Sequence, residues 1–361
     1  MRNSTFERRY EKLSKLIGYV GTYTKGDSKG VYSFTLDTDA GKLSDVKAVA
    51  ELDNPTYVNL SQDNKNLYAV VKEGNQGGVA SYAVDRVTGD LTAINQQLLD
   101  GASPCHVSVD SQNKQVVTAN YHKGTVEFFP TNDDGSINSV ASVIEHSGQG
   151  PHERQEKPHT HYSGFTPDEK YVVAVDLGID KIISYKINNG KLEEAHTLLV
   201  KAGSGPRHIT FHPNGKYAYV MTELSNEVIT LSYNSDTGVF TELQYNPAIP
   251  EDFTENSQGS AIHISSDGRF VYAGNRGHDS IAVYRVNQEN GELSFIEFTS
   301  TEGNWPRDFA LDPTEKFIVA SNQESSNLVL FARDTESGKL SLLDSQVSVP
   351  DPVCVKFLNV K

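Results

Sequence analysis

Histidine, arginine and glutamate occur in this chain in a combination that can open an ester. A base removes a proton from water as the water attacks the carbonyl carbon, and a fixed cation stabilises the oxyanion that forms. Either a histidine or Glu223 can be the base; we favour His161, with Glu223 orienting the water or the arginines. Arg207 and Arg276 then divide between the oxyanion and polar groups of the substrate. His159 is an alternative to His161, because a small shift of strand register would present it instead.

Further polar residues nearby are candidates for substrate binding. The longest interruption between repeats, residues 145–162, is rich in hydrogen-bond donors and runs up to His161. Inserted loops of repeat proteins often shape a binding site, so we expect this loop to form a rim over the site. The substrate-binding candidates are Arg154, Gln155, Asp176, Asn275, Arg307 and Asn322, with Tyr23, Thr56, Lys72, Cys105, Tyr121 and His122 as a weaker set.

The elements that must position these residues are repeated. A Gly-x-(Leu/Ile/Phe) turn recurs at intervals of 46 to 55 residues in a chain of short alternating apolar runs. A period near 50 residues indicates one four-stranded unit that cannot bury its sheet faces alone and stacks around an axis. The turns predict seven units and therefore an all-β, seven-bladed β-propeller; they begin at Gly41, Gly89, Gly135, Gly190, Gly238, Gly291 and Gly338.

A second landmark is a proline that opens the first strand of each unit, with Gln258-Gly259 in its place once. The first and second strands of a blade are antiparallel, so the start of one lies beside the end of the other at the same mouth of the ring. The candidate residues occupy these two positions in four successive units, which predicts that they converge. The prolines are Pro55, Pro104, Pro158, Pro206, Pro306 and Pro352.

The two ends of the repeat region are complementary. The chain begins in the middle of a unit, and residues 353–360 form a lone first strand that can pair beside residues 17–23. Such pairing closes the ring and removes free sheet edges. We therefore predict one domain over residues 17–361, preceded by a weakly structured extension over residues 1–16.

The charge and composition restrict the partners. A net charge of −15 argues against nucleic acid and anionic membranes, so an anionic substrate needs local arginines. The chain has two cysteines, in non-adjacent units, and we expect no disulfide. Residues 1–16 lack the apolar core of a signal peptide, and no apolar run reaches 18 residues. We expect a cytoplasmic monomer or weak homodimer that needs no cofactor or metal.

Four phrases carry a resemblance to a known family: QEKPHTH (155–161), DLGIDKIISY (176–185), GPRHITFHPNGKYAYVMTELSNEV (205–228) and AGNRGHDSIAVY (273–284), together with the opening IGYVGTYT. The repeat region resembles the propeller-type bacterial 6-phosphogluconolactonases and is similar to the fungal muconate-lactonizing enzymes. The resemblance implies hydrolysis of a sugar-derived lactone, 6-phosphogluconolactone in the pentose phosphate pathway. It places the family's functional residues on His159 or His161, Arg207, Glu223 and Arg276.

Three alternatives stay open at this point. Arg207 and Glu223 can form a purely structural ion pair between strands. The i, i+2 spacing of His159 and His161 puts both rings on one face of a strand, where they can hold a metal. The chain can also act on another lactone, or be a non-enzymatic propeller that binds proteins; against that last class, its polar mouth residues differ from unit to unit.

Overall fold

The computed structural model describes residues 14–360, which form seven antiparallel sheets of four strands. These sheets are the predicted blades, so the seven-bladed β-propeller is confirmed. Blade 1 consists of β1 (Lys15–Thr22), β2 (Gly30–Asp37), β3 (Lys42–Glu51) and β28 (Pro352–Phe357). Blades 2 to 4 comprise β4 (Val58–Leu60), β5 (Asn66–Glu73), β6 (Gln76–Val84), β7 (Leu91–Asp100), β8 (His106–Val109), β9 (Gln115–Asn120), β10 (Thr125–Pro130), β11 (Ser142–Glu145), β12 (Thr160–Phe165), β13 (Tyr171–Asp176), β14 (Lys181–Asn188) and β15 (Lys191–Leu199). Blades 5 to 7 comprise β16 (Pro206–Phe211), β17 (Tyr217–Thr222), β18 (Glu227–Asn234), β19 (Val239–Pro247), β20 (Gln258–Ile264), β21 (Phe270–Arg276), β22 (Ser280–Val286), β23 (Leu293–Ser300), β24 (Pro306–Leu311), β25 (Phe317–Asn322), β26 (Asn327–Arg333) and β27 (Leu340–Ser348).

The ring closes through its last strand, as predicted. β28 pairs antiparallel with β1, with Val355 opposite Val20 and Phe357 opposite Gly18. β28 also contacts the innermost strands of the blades on both sides, β24 and β4. β1 begins at Lys15, two residues before the predicted domain boundary, and the rest of the predicted extension 1–16 lies almost entirely outside the described residues.

The core lies between the faces of neighbouring blades. Every residue of β13 is buried, because blades cover both faces of this second strand, whereas all but one residue of the outermost strand β19 are exposed or half-buried. Blades 4 and 5 meet through Val173 and Val175 on one side and Val220 and Ile229 on the other. This packing fixes the angle at which each blade presents its inner strand to the axis.

The repeated glycine turn joins neighbouring blades. Gly291 has φ of +77°, and a Cβ there would come within 2.5 Å of the Tyr217 ring. Its carbonyl oxygen accepts a hydrogen bond from the hydroxyl of Tyr219 at 2.9 Å. Glycine is therefore required at this position for two reasons: the positive φ of the backbone and the close approach of the Tyr217 ring. The equivalent bonds run from Tyr19 to Gly89, from Tyr68 to Gly135 and from Tyr272 to Gly338.

Candidate active site

Three of the candidate residues occupy bulges in the innermost strands. Strand pairing skips His161 between Thr160 and Tyr162, and it skips Arg207 and Arg307 directly after the prolines that open β16 and β24. A β-bulge leaves one residue unpaired and re-aims its side chain. The bulges therefore turn these three side chains into the axial channel.

A cavity of about 500 Å³ opens at this mouth of the channel, large enough for a small metabolite. Five predicted site residues line it, and most of the weaker set does as well. The lining comprises Tyr23, Asn54, Thr56, Ser103, Pro104, Cys105, Tyr121, His122, Arg154, His161, Glu223, Gln258, Arg276, Trp305 and Arg307. Arg207 lines a smaller cavity directly beneath.

Glu223 is the centre of the charged cluster. Its carboxylate forms ion pairs with Arg276 at 2.7 Å, with Arg207 at 3.1 Å and with Arg154. Glu223, Arg207 and Arg276 are each at most 3% exposed, whereas the Arg154 side chain is about a third exposed. Three guanidinium groups around one carboxylate leave a surplus of positive charge at the mouth.

The electrostatics keep Glu223 ionised. Burial alone would raise its pKa, but Arg276, Arg207 and Arg154 together hold the pKa of Glu223 well below its usual range. Burial lowers the pKa of Arg276 and Arg207, which Glu223 opposes, and a guanidinium stays protonated in proteins. A carboxylate so stabilised is a poor general base, so Glu223 is suited to orienting the arginines.

His161 is suited to accepting a proton. Burial, reinforced by the charge of Arg207, holds the pKa of His161 well below 6.5, so the ring is neutral at pH 7. Its Nδ1 lies 3.9 Å from the sulfur of Cys105. Burial raises the pKa of the Cys105 thiol to about 11, so the sulfur is not a thiolate nucleophile. Two histidines line the cavity, and of these His161 is buried beside the charged cluster whereas His122 is exposed, so we favour His161 as the base.

Aromatic rings support two of the arginines. The guanidinium of Arg276 lies 5.6 Å from the ring centroid of Trp305, and that of Arg307 lies 5.4 Å from the ring of Tyr23. Arg207 and Arg276 also donate to backbone carbonyl oxygens of β20, at 2.8 and 2.7 Å. Arg307 is the cavity-lining arginine for which the described residues show no carboxylate partner within ion-pair distance.

The inserted loop 145–162 brings Arg154 to the cluster, as predicted for a rim. Gln155, predicted to bind substrate, instead anchors this loop. Its amide nitrogen donates to the Leu177 carbonyl and to Asp180, both at 2.8 Å, and its side chain is buried. Asp180 also accepts from the backbone N–H of Gly205, so the loop and the strand that carries Arg207 share one fixed point.

Asp176, Asn275 and Asn322, predicted to bind substrate, do not line either cavity; they lie at or next to the ends of second strands and contact the segments that connect the blades. The Asn275 and Asn322 amides donate to the carbonyls of Ala248 and Thr301. The following residue, such as Glu223 or Arg276, is the one that reaches the cavity. Asp176 accepts from the His159 backbone N–H at 2.8 Å and contacts His146 and Thr160. The Asn120 amide donates to the Ala102 carbonyl, as the Asn275 and Asn322 amides do to theirs.

His159, the alternative candidate base, is not among the residues that line either cavity. Its Nδ1 contacts the Tyr121 carbonyl oxygen at 3.0 Å, its Nε2 contacts Glu156 at 3.2 Å, and its ring stacks on Tyr121. Both ring nitrogens are therefore occupied. Within residues 14–360, no group of three or more His, Cys, Asp or Glu side chains is arranged to hold a metal ion.

The predicted site residues leave out five lining residues: Pro104, which is itself a landmark proline, and Asn54, Ser103, Gln258 and Trp305. Asn54, Ser103 and Trp305 each directly precede a landmark proline, and Gln258 stands at the equivalent place. The prediction used the residue after the proline and did not consider the one before it. The landmark prolines could therefore have identified these lining residues from the sequence as well.

The fold and the site together define an enzyme-type propeller, because the polar residues at one mouth change from blade to blade and build a single cavity. The chain belongs to the family described as lactonase, seven-bladed β-propeller, whose model matches residues 17–357.

Named relatives span almost the whole chain. A 6-phosphogluconolactonase from Bacillus subtilis (strain 168) is 63% identical over 347 residues, 96% of this chain and 99% of that protein. A crystal structure of a protein from Lactobacillus plantarum matches with a TM-score of 0.92 at 42% identity and covers 96% of this chain and 100% of its own. The periplasmic gluconolactonase of Pseudomonas aeruginosa matches with a TM-score of 0.90 at 32% identity, covering 96% and 100%.

Proposed function

We propose that this protein hydrolyses 6-phosphogluconolactone to 6-phosphogluconate. The observation that carries the proposal is a neutral buried histidine, His161, beside a carboxylate that holds three guanidinium groups in a metabolite-sized cavity. The name of the Bacillus subtilis relative, at 63% identity, supports the substrate.

Water attack is the first step. His161 takes a proton from a water molecule in the cavity while the water oxygen bonds to the lactone carbonyl carbon. Glu223 holds Arg207 and Arg276 in fixed positions, so their charge is oriented before the substrate arrives. Arg276, which lines the cavity, stabilises the oxyanion of the tetrahedral intermediate. The protonated His161 then returns its proton to the ring oxygen as the C–O bond breaks.

Arg307 is the group best placed to bind the phosphate. Arg154, Arg207 and Arg276 already share Glu223, whereas Arg307 lines the same cavity and has no carboxylate partner among the described residues, so its charge and donors are available. A guanidinium matches phosphate bidentately. Because the whole chain carries a net charge of −15, this local contact must overcome the field of the protein.

The first prediction concerns substrate choice. The wild-type protein should prefer the phosphorylated lactone over its unphosphorylated parent, and Arg307→Gln should weaken that preference by roughly 10- to 100-fold, as expected for one hydrogen-bonded charge pair. The measurement is kcat/KM for both lactones, corrected for spontaneous hydrolysis. Arg86→Gln, in an exposed outer turn, is the matched control. A wild-type preference for the neutral lactone would instead indicate a lactonase for an unphosphorylated substrate.

The alternative is a lactonase for an unphosphorylated or otherwise different lactone. The observation that favours it is the 32% identical Pseudomonas aeruginosa relative, named a gluconolactonase, over nearly the whole fold. The mouth chemistry would be the same, since opening a neutral lactone needs the same base and cations. The two assignments therefore differ only in the role of Arg307.

Hydrolysis should also survive EDTA. The proposed steps use a histidine and arginines, and His159 has both ring nitrogens engaged by protein groups. The test is the rate of lactone hydrolysis after chelation and after return of a divalent cation. Activity that is lost in chelator and restored by the cation would overturn the metal-free mechanism.

We infer that the partner is a small anionic lactone, and we retain the prediction of a cytoplasmic monomer or weak homodimer. The clustered arginines support an anionic ligand, and the net charge of −15 opposes nucleic acid and anionic lipid. Within residues 14–360, no helix has the length and apolar character that a membrane span requires. Gel filtration and cell fractionation test the two remaining predictions.

A further inference from the structure

The axial channel continues below the substrate cavity into a second, much smaller cavity. Its volume is about 10 Å³, close to the minimum for one water molecule. His161 lines both cavities, so one side of its ring faces the substrate and the other faces the interior. Arg207, His208, Arg307 and Asp308 also line the small cavity.

His208 leaves a buried nitrogen without a partner at this place. Its Nε2 is fully buried and makes no hydrogen bond with the described residues, although its ring lies 5.2 Å from that of His161 and 5.4 Å from that of His106. An unpaired buried polar atom is costly, and ordered water is its usual partner. A water in the small cavity would satisfy His208 and lie next to His161.

Asp308 connects the small cavity with the opposite face of the ring. One carboxylate oxygen accepts from the Val355 backbone N–H at 2.9 Å, and the other lies 3.3 Å from Nε2 of His263. His263 lies five residues beyond Gln258 along β20, which is about 16 Å further down the channel. Its side chain is 26% exposed, so this ring reaches solvent away from the substrate.

The reaction leaves one proton to remove. Water brings two protons to the reaction. His161 passes the first to the lactone ring oxygen, and the second stays on the new carboxylic acid. When this acid ionises, the second proton passes to His161 while product still fills the mouth. Above His161, Arg154, Arg276 and Arg307 line the mouth and Glu223 is the one carboxylate among the lining residues, so the surplus of positive charge opposes the exit of a cation. Below it, Asp308 offsets part of the charge of Arg207 and Arg307, which also line the small cavity, and His106 and His208 are neutral because burial lowers their pKa.

We propose that the proton leaves His161 through the axial channel, by way of a water held between His208 and Asp308 and then the His263 ring, to the mouth opposite the substrate. This path rests on the proposed lactone hydrolysis. No bond other than those to the transferred protons changes, and solvent at the lower mouth is the final acceptor. His208 and His263 act after the chemical step, so they are proton-transfer residues and do not contact the substrate.

His263→Gln tests the path, because glutamine can still donate to Asp308 but cannot carry a proton. In weak buffer, kcat should fall on the order of tenfold while kcat/KM stays unchanged, since proton release follows the first irreversible step. Added imidazole should restore kcat. His208→Gln should behave in the same way, and His278→Gln, off the axis in the same blade as His263, should match the wild type.

Two results would overturn the proton path but leave the proposed function intact. One is an unchanged kcat in weak buffer for both variants. The other is a joint loss of kcat and kcat/KM that imidazole does not restore, because that loss indicates a structural role. The comparison uses whichever lactone of a phosphorylated and unphosphorylated panel the wild-type protein hydrolyses fastest. If the wild type accelerated the hydrolysis of none of them, the proposed function would fail, and the path would fail with it.

Discussion

Replacing His161 with alanine should reduce kcat/KM for lactone hydrolysis on the order of 10²-fold or more, as the loss of a general base does. The ring is neutral at pH 7 because burial and Arg207 hold its pKa well below 6.5, so it is ready to accept a proton. The acid limb of the wild-type pH–rate profile should accordingly lie below pH 6.5. Both effects are measured with purified protein against the spontaneous rate.

The cluster around Glu223 gives the companion variants. Arg207→Ala and Glu223→Ala should each lower kcat/KM to a similar extent, because the first removes a fixed cation and the second releases three guanidinium groups from their orientation. Glu223→Gln keeps the volume and tests the charge alone. Thermal unfolding shows whether each variant stays folded, and Arg86→Ala is the exposed control. Wild-type activity in all the site variants would reduce the cluster to a structural ion pair.

The fold could be predicted because its periodic signals have local physical causes. The turn at Gly291 needs a positive φ and close contact with Tyr217, so glycine recurs wherever a turn meets the neighbouring blade. The repeat region lacks a first strand at its start and has an extra strand at its end. This complementarity predicted that the last strand closes the ring, as β28 does by pairing with β1. The start of β1 at Lys15 could not be predicted, because its first residues carry no landmark of the repeat.

The candidate site could be predicted only in part, because its geometry depends on bulges. His161 and Arg207 were both predicted to reach the site from the start of a first strand, and both occupy bulges there. At the ends of second strands the prediction mixed two positions: Asn275 holds a neighbouring loop, whereas Arg276 enters the cavity. The alternation of apolar and polar residues along a strand does not show where strand pairing ends. The sequence therefore does not show which of two consecutive side chains enters the cavity.

The long loop shows a different limit. Its donors suggested a rim, and Arg154 does reach Glu223, but Gln155 beside it turns inward to Asp180. Neighbouring polar residues of an irregular segment have no fixed periodicity, so their directions follow from tertiary contacts. The pairing of Arg154 with Glu223 joins residues 69 positions apart and could not be predicted from either phrase.

Removal of the last ten residues, 352–361, should cause the largest loss of stability. Val353, Cys354 and Val355 are at most 3% exposed, and the burial of such side chains contributes on the order of 5 kcal/mol in total. That loss is comparable with the whole stability of a typical domain, about 5–15 kcal/mol. It would also expose the edge of β1 and the inner strand contacts of β24 and β4. Thermal or denaturant unfolding and solubility measure the effect.

The matched control is removal of residues 360 and 361 alone, which lie beyond β28 and leave its pairing intact. Val355→Asp tests the role of ring closure without shortening the chain. It keeps every backbone hydrogen bond of β28 but places a charge in the core between blades 1 and 7. If closure by β28 holds the ring together, this variant should unfold far more easily than the control and resemble the ten-residue truncation. A truncated chain that melts like the full-length protein would contradict that role, because six blades and an incomplete seventh would then suffice for the fold.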